Sequence, residues 1–225
     1  MSRKNLLISA IVIIVAVIGV IYWQANKKNV EKMGLENSDQ IFDIKAPADF
    51  DSARLERLEE KITNAKNLYN TKKDETWTWI TIGNMYEFAH DYDRAIGAYQ
   101  KSASLNESEY ISRMNLAYLY ENQKKDYVKA EEFYKKVVEL NSGNPEQHIN
   151  LARLYEFKMS KQDDAEKIYT TGLEKTSNNP DMLVATIRFF ERQNHPEKVK
   201  EYAGLLLKLY PDNGAYKNDF GALVK

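Results

Sequence analysis

TWTWITIGNMYEFAHDYDRAIGAYQKSASL, residues 76–105, is the stretch whose reading decides the fold. Its frame is Trp79-x-x-Ile82-Gly83-x-x-Tyr86, followed by Ala95-x-x-x-Tyr99. The frame returns as Leu116-Ala117-x-x-Tyr120 with Ala130-x-x-x-Tyr134, and as Leu151-Ala152-x-x-Tyr155 with Ala165-x-x-x-Tyr169. A fourth copy reads Thr186-Ile187-x-x-Phe190 with Val199-x-x-x-Ala203. The anchors Ala95, Ala130, Ala165 and Val199 are spaced 35, 35 and 34 residues apart, and Tyr86, Tyr120, Tyr155 and Phe190 are spaced 34, 35 and 35. Self-similarity at this period predicts stacked helical hairpins. Gly83, Ala117 and Ala152 are small where the first helix of a hairpin must approach the second, and Ala95, Ala130 and Ala165 answer from the second helix. The aromatics fill the gap between one hairpin and the next. A lone hairpin cannot bury its apolar face, whereas stacked hairpins share one core.

These four copies resemble the tetratricopeptide repeat (TPR), whose pattern sets Trp, Leu-Gly, Tyr, Ala and Phe at matching offsets. The resemblance implies an all-α fold: a right-handed α-solenoid of four TPR helix-turn-helix repeats with flanking capping helices, preceded by one N-terminal transmembrane helix that is read separately below. The repeats fall at 76–109, 110–144, 145–179 and 180–213. Three departures matter. Repeats two and three carry one extra residue, around Gln123–Asp126 and Lys158–Asp163, which reads as a lengthened surface loop of small cost. Repeat four has Ile187 where a small residue is usual, so its helices are expected to splay or shift. Glu107, Ser142 and Ser177 replace the usual closing proline, while Pro145 and Pro180 sit where a first helical residue favours proline.

Both ends of the array carry candidate caps. Leu55, Leu58, Ile62, Ala65 and Leu68 recur at helical spacing within an amphipathic helix at 51–72, which starts at an Asp51 or Ser52 cap. The stripe reads as core covering the first repeat, with a coiled-coil seam as the alternative. Phe220-Gly221 and Val224 fall in the register of a fifth repeat, so 214–225 is expected to form a final capping helix.

Ahead of the repeats, a short tail (1–4) precedes a run without charge, Asn5 to Trp23. At ~1.5 Å per residue a helix of this length spans ~29 Å, near the hydrocarbon thickness of a bilayer. Twelve of its 19 residues are Leu, Ile or Val. Tyr22 and Trp23 close the run at the interface, and Lys27 and Lys28 follow in the headgroup zone. A cleaved signal peptide has a shorter apolar core, and a cut after Ala25 would place bulky Trp23 at the −3 position. Residues 5–23 are therefore expected to be a transmembrane helix that contacts the lipid bilayer and makes the protein single-pass. Arg3 and Lys4 nearly balance Lys27, Lys28 and Lys32, so flanking charge does not set the orientation. The repeat domain is expected to be extracytoplasmic, by analogy with single-span bacterial anchors. Residues 24–50, with Gly34 and Pro47 as breakers, read as a polar linker.

Composition narrows the chemistry. The formal net charge is −1, with no basic surplus to attract nucleic acid. Cysteine is absent, which removes disulfides, thiolate metal sites and cysteine nucleophiles. The only histidines are His90, His148 and His195, far apart along the array and read as surface residues. No HExxH, Gly-rich phosphate loop or GxSxG is present. No catalytic, cofactor or metal site is expected, and the chain reads as a non-enzyme.

The resemblance implies that the first helix of each hairpin lines a concave groove that binds a peptide or helix. By register the groove residues are Trp77, Ile80, Asn84, Glu87 and Phe88 in repeat one, and Ile111, Met114, Asn115, Tyr118 and Glu121 in repeat two. Repeat three contributes Ile149, Asn150, Arg153, Glu156 and Phe157, and repeat four Val184, Arg188, Glu191 and Arg192. Aromatics, Met and Arg among polar groups suit a protein-binding surface, although Trp77, Ile80 and Met114 can equally pack against neighbouring helices. Glu87, Glu121, Glu156 and Glu191 directly follow the four aromatics and form a row. That row can take a basic ligand segment, stand solvated, or pair with Arg153, Arg188 and Arg192. The family's carboxylate clamp finds only Asn84 and Asn115 in place; Ile80, Glu146 and Asn150 depart from it. The expected role is a membrane-anchored adaptor for a protein or peptide ligand. The alternatives are a chaperone-like or secretion-associated holder of unfolded or translocating chains, and a self-associating scaffold.

Overall fold

A computed structural model describes Leu35 and residues 37–224. The transmembrane expectation for 5–23 lies outside the described residues, and among the described residues no helix is long and apolar enough to cross a membrane. The described residues are all-helical, with eleven α-helices and no strand. They fall into two compact units, one ending at Glu107 and one beginning at Ser108.

The first unit contains α1 (Ser38–Phe42), α2 (Ser52–Lys72), α3 (Thr76–Phe88) and α4 (Tyr92–Leu105). Asp51 caps α2 by accepting from the Arg54 N–H at 2.8 Å, which satisfies one of the free amides of the first turn. At its far end, Thr78 Oγ1 and Trp79 Nε1 donate to the carbonyls of Lys72 and Lys73, both at 2.7 Å, so side chains of α3 cap α2. Leu58 and Ala65 of the predicted stripe are buried, so these positions are core and not a free coiled-coil seam.

The end of the segment expected as a polar linker packs into this unit. Leu35 and Ile41 are buried, and the Tyr86 hydroxyl donates to the Ile41 carbonyl at 2.7 Å. Arg94 Nη1 donates to the Asp43 carbonyl at 3.0 Å. Phe42 meets Tyr69, and Phe50 meets Phe88, in edge-to-face contacts with centroids 5.9 and 5.4 Å apart. The apolar residues of this stretch are too scattered to show a period, yet Leu35, Ile41, Phe42 and Phe50 anchor it.

α3 and α4 form the first hairpin, and its close approach is at Gly83. A Cβ there would lie 2.4 Å from Cε1 of Tyr99, whose ring is wholly buried.

The second unit holds three hairpins: α5 (Ile111–Leu119) with α6 (Tyr127–Leu140), α7 (Pro145–Arg153) with α8 (Gln162–Lys175), and α9 (Pro180–Arg192) with α10 (Pro196–Leu209). Asn144 and Asn179 cap α7 and α9 just before Pro145 and Pro180, accepting from the Glu146 and Asp181 N–H groups. Each hairpin packs on the next, and α7 also touches α9. α11 (Gly214–Phe220) and a 3₁₀ turn (Gly221–Val224) lie against α10, so the expected single capping helix breaks at Gly221.

The extra residue of repeats two and three is not a longer loop. α5 and α7 end in π-helical turns, Tyr120–Lys124 and Leu154–Lys158, that absorb it within the helix. The backbone shows why both solutions close alike. In hairpins one and four the residue capping the second helix, Asp91 or His195, donates its N–H to the carbonyl of Tyr86 or Phe190, five residues back. In hairpins two and three Asp126 and Lys161 donate to the carbonyls of Tyr120 and Tyr155, six residues back. All four turns pass through one left-handed residue, His90, Lys125, Ser160 or Asn194.

In repeat four, α9 and α10 meet over fewer residues than the helices of the other hairpins once the π turns are counted with α5 and α7, in line with the expected splay. Where the first three hairpins face a small residue with Tyr99, Tyr134 or Tyr169, the fourth faces Ile187 with Ala203. Bulk has changed sides, and both residues are fully buried. A volume-conserving exchange of this kind keeps a core closed.

Candidate functional site

Each of the first three hairpins joins its two helices through a polar link. The Tyr99 hydroxyl, within the first unit, bridges Asn84 Oδ1 at 2.7 Å and Glu87 Oε2 at 2.9 Å. In the second unit Tyr134 donates to Glu121 at 2.9 Å and Tyr169 to Glu156 at 3.2 Å. Hydrogen bonds to a charged acceptor stabilise by about 1.5–3 kcal/mol each. Burial, reinforced by the neighbouring carboxylate, pushes the phenols of Tyr134 and Tyr169 well above the ordinary tyrosine range, so both stay protonated and donate. The glutamate row thus faces inward as well as outward.

The candidate residues of the first unit do not form an open groove. Ile80 is buried. Phe88 is half-covered by Phe50 on one side and by Lys61, whose Nζ stands 5.2 Å from the ring centroid. Asn84 and Glu87 hold Tyr99. Trp77 stands well out, at 57% exposure, and Asn84 is also exposed.

In the second unit, Glu156 is buried and its carboxylate is gripped by Arg192, through Nε at 2.6 Å and Nη2 at 2.9 Å. This hydrogen bond raises the Arg192 guanidinium above its ordinary range, as a fixed ion pair should. Arg188 pairs with Glu191 at 2.8 Å and lies over the Phe220 ring. Glu191 cannot receive a tyrosine, because Ala203 stands where the tyrosine would be. Glu156, Glu191, Arg188 and Arg192 are therefore engaged within the chain. Val184 and Ile149 are half-buried, and Ile111 sits at the exposed start of α5.

The remaining candidates come together. Met114, Asn115, Tyr118 and Glu121 from α5 and its π turn line one cleft of about 430 Å³ with Asn150 and Arg153 of α7; Asn122, Tyr134 and Glu146 complete it. The volume lies within the range of small-ligand pockets and admits side chains of a peptide. Tyr118 is 47% exposed. The Asn115 side chain has no hydrogen-bond partner among the described residues, while Asn150 Nδ2 makes only a weak contact to Met114 Sδ at 3.9 Å. Arg153 forms no ion pair among the described residues, and its guanidinium lies 6.0 Å from the ring centroid of the exposed Phe157. Glu146 and Asn122 were missed as groove residues. Glu146 had entered only as a mismatch to the carboxylate clamp, and Asn122 sits on the π turn, directly ahead of the Gln123–Asp126 stretch read as a lengthened loop.

His148, read as a surface residue, is buried. Its Nε2 lies 2.8 Å from the Ser142 carbonyl, so that nitrogen carries the proton. Its β- and γ-carbons lie within about 3 Å of where a Cβ on Gly172 would be. It is a packing residue between α7 and α8.

Residues 111–144, the first hairpin of this unit, match the sequence profile of the tetratricopeptide repeat. No curated protein matches the sequence. Solved structures match the fold. MamA from Desulfovibrio magneticus is 13% identical, with a TM-score of 0.54, over 72% of this chain and 89% of that one. A TPR protein of Thermus thermophilus is 12% identical, with a TM-score of 0.50, over 76% of this chain and 93% of that one. YrrB, described as a TPR protein with an unusual peptide-binding site, is 14% identical, with a TM-score of 0.50, over 71% of this chain and 81% of that one. At these identities the likeness is one of fold: the described residues are helical hairpins of the TPR type.

Proposed function

We propose that the chain is an adaptor that holds a peptide or helical segment of a partner protein in the α5–α7 cleft, and that residues 5–23 tether it to a membrane with the repeats on the extracytoplasmic side. The cleft carries the reading. It gathers the candidate residues whose polar groups the fold leaves open, chiefly Asn115 and Arg153, beside the exposed Tyr118 ring. TPR folds bind peptide and protein partners, and YrrB's peptide-binding site is one such case. Tethering would raise the local concentration of the bound partner at the membrane.

The test compares wild type with Tyr118→Ala and Asn115→Ala by quantitative affinity capture, with circular dichroism to show that each variant is folded. Loss of one and the same captured protein from both folded variants is expected. Identical capture by all three would refute the cleft as the binding site.

A further inference from the structure

The glutamate row of the second unit resolves into carboxylates that are occupied and one that is open. Glu156 is held by Arg192 and Tyr169, and Glu191 by Arg188. Glu121 accepts a single hydrogen bond, from Tyr134 to Oε2, and its other oxygen has no partner among the described residues. It lines the α5–α7 cleft together with Glu146, an exposed carboxylate in the first turn of α7 whose side chain likewise has no partner among the described residues. Against these two acids stands one lining cation, Arg153, which leans over the Phe157 ring. The nearby Arg188 and Arg192 are neutralised by their own glutamates.

The lining therefore carries a net charge of −1, from Glu121, Glu146 and Arg153. A carboxylate entering it meets two like charges and one opposite; an ammonium or guanidinium meets the reverse. The Tyr118 ring adds a face that attracts cations, and the side-chain oxygens of Asn115 and Asn150 add acceptors. Resting on the peptide-binding reading above, we infer that the cleft selects a basic side chain, Lys or Arg, of the partner segment, seated against Tyr118 with Glu121 and Glu146 as its counter-charges. Arg153 then donates to backbone carbonyls of the same segment. The attraction is between partly exposed charges, so affinity falls as salt rises.

The experiment uses the full-length chain in a non-ionic detergent and two fluorescein-labelled, end-blocked peptides on a Leu/Ala background. They are identical except that one carries Lys at every charged position and the other Glu. Fluorescence anisotropy at low ionic strength is expected to give the Lys peptide at least about tenfold tighter binding, as charge complementarity requires. Glu121→Gln with Glu146→Gln abolishes that preference. Glu174→Gln, which removes an exposed carboxylate from α8, leaves it intact. Tighter binding of the Glu peptide that is lost in Tyr118→Ala keeps the cleft as a peptide site and overturns its basic selectivity. An equal loss from Glu174→Gln shows bulk attraction and overturns the selectivity too. Binding of neither peptide overturns both readings.

Discussion

Two glycines inside helices should respond oppositely to the same substitution. Gly83 lies in α3 and Gly204 in α10. Gly→Ala within a helix gains about 1 kcal/mol of propensity. At Gly204 nothing opposes the gain, since the nearest atom to the new Cβ is Val224 Cγ1 at an ordinary 3.9 Å. At Gly83 the Cβ would stand 2.4, 2.6 and 2.8 Å from three carbons of the Tyr99 ring. That ring is wholly buried and fixed at its far end by Asn84 and Glu87, so it cannot swing aside without giving up a charge-assisted hydrogen bond. Overpacking costs about 1–3 kcal/mol and the bond to Glu87 about 1.5 more. Net of propensity, Gly83→Ala should destabilise the first unit by roughly 2 kcal/mol, and Gly204→Ala should stabilise the second by about 1. Urea unfolding reads both. In a Trp23→Phe background, fluorescence reports the first unit through Trp77 and Trp79, and circular dichroism reports total helix. With m near 1–3 kcal/mol/M, the Gly83 variant's midpoint should fall by about 1 M. An unchanged midpoint for Gly83→Ala, or an equal loss for Gly204→Ala, would refute the close-approach argument.

Two further outcomes follow from the same packing. Ala203→Tyr alone should destabilise the second unit by about 3 kcal/mol, because Ile187 already fills the space, and adding Ile187→Ala should recover most of the loss by restoring the pairing of hairpins two and three; thermal denaturation of the single and double variants checks this. Burial pushes the Tyr86 phenol up to about 12, only partly offset by Arg94, and Tyr155 is likewise pushed up to about 12 by burial and by its bond to Glu131. The folded chain thus holds these protons more tightly than the unfolded chain, where tyrosine titrates near 10. Their contribution should be intact below about pH 10 and lost between about 10 and 12, and Tyr86→Phe should flatten that alkaline loss in the tryptophan-reported unfolding of the first unit.

The hairpins were legible because their determinants are local and repeat. A small residue three before an aromatic, and an alanine four before a tyrosine, place themselves on helix faces whatever lies around them. What the sequence frame obscured was accommodation. One extra residue between Tyr120 and Asp126 looks the same on paper whether it swells a loop or widens a helical turn; hydrogen bonding chooses the second, because it leaves the turn's left-handed residue and cap in register. Ile187 looked like a defect because its position was judged without its partner. Ala203 was in plain view sixteen residues on, and pairing the two positions across the hairpin would have shown the exchange. The docking of Leu35, Ile41 and Phe50 was hidden for the opposite reason: isolated apolar residues carry no period.

The candidate site was half legible, and the division has one cause. Register says which residues share a helix face but not which of them the chain uses itself. Glu87, Glu121, Glu156 and Glu191 are equivalent by position, yet their fates depend on residues in other helices. Arg192 reaches back 36 residues to close over Glu156, and Arg188 takes Glu191 where Ala203 offers no hydroxyl. Phe88 is withdrawn from the surface by Phe50. In the second unit, subtraction leaves the α5–α7 cleft, where, among the described residues, Asn115 has no side-chain partner and one oxygen of Glu121 has none. Both walls of that cleft belong to the hairpins whose first helices end in π turns, and Glu121 and Asn122 sit on such a turn. π turns inside α-helices are frequent at functional sites, because the wider turn re-aims the side chains it carries. The extra residue is not what joins Glu121 to Tyr134, since Glu87 makes the same bond to Tyr99 in the hairpin that lacks it; what the π turn adds is Asn122, carried into the lining of the cleft beside Glu121.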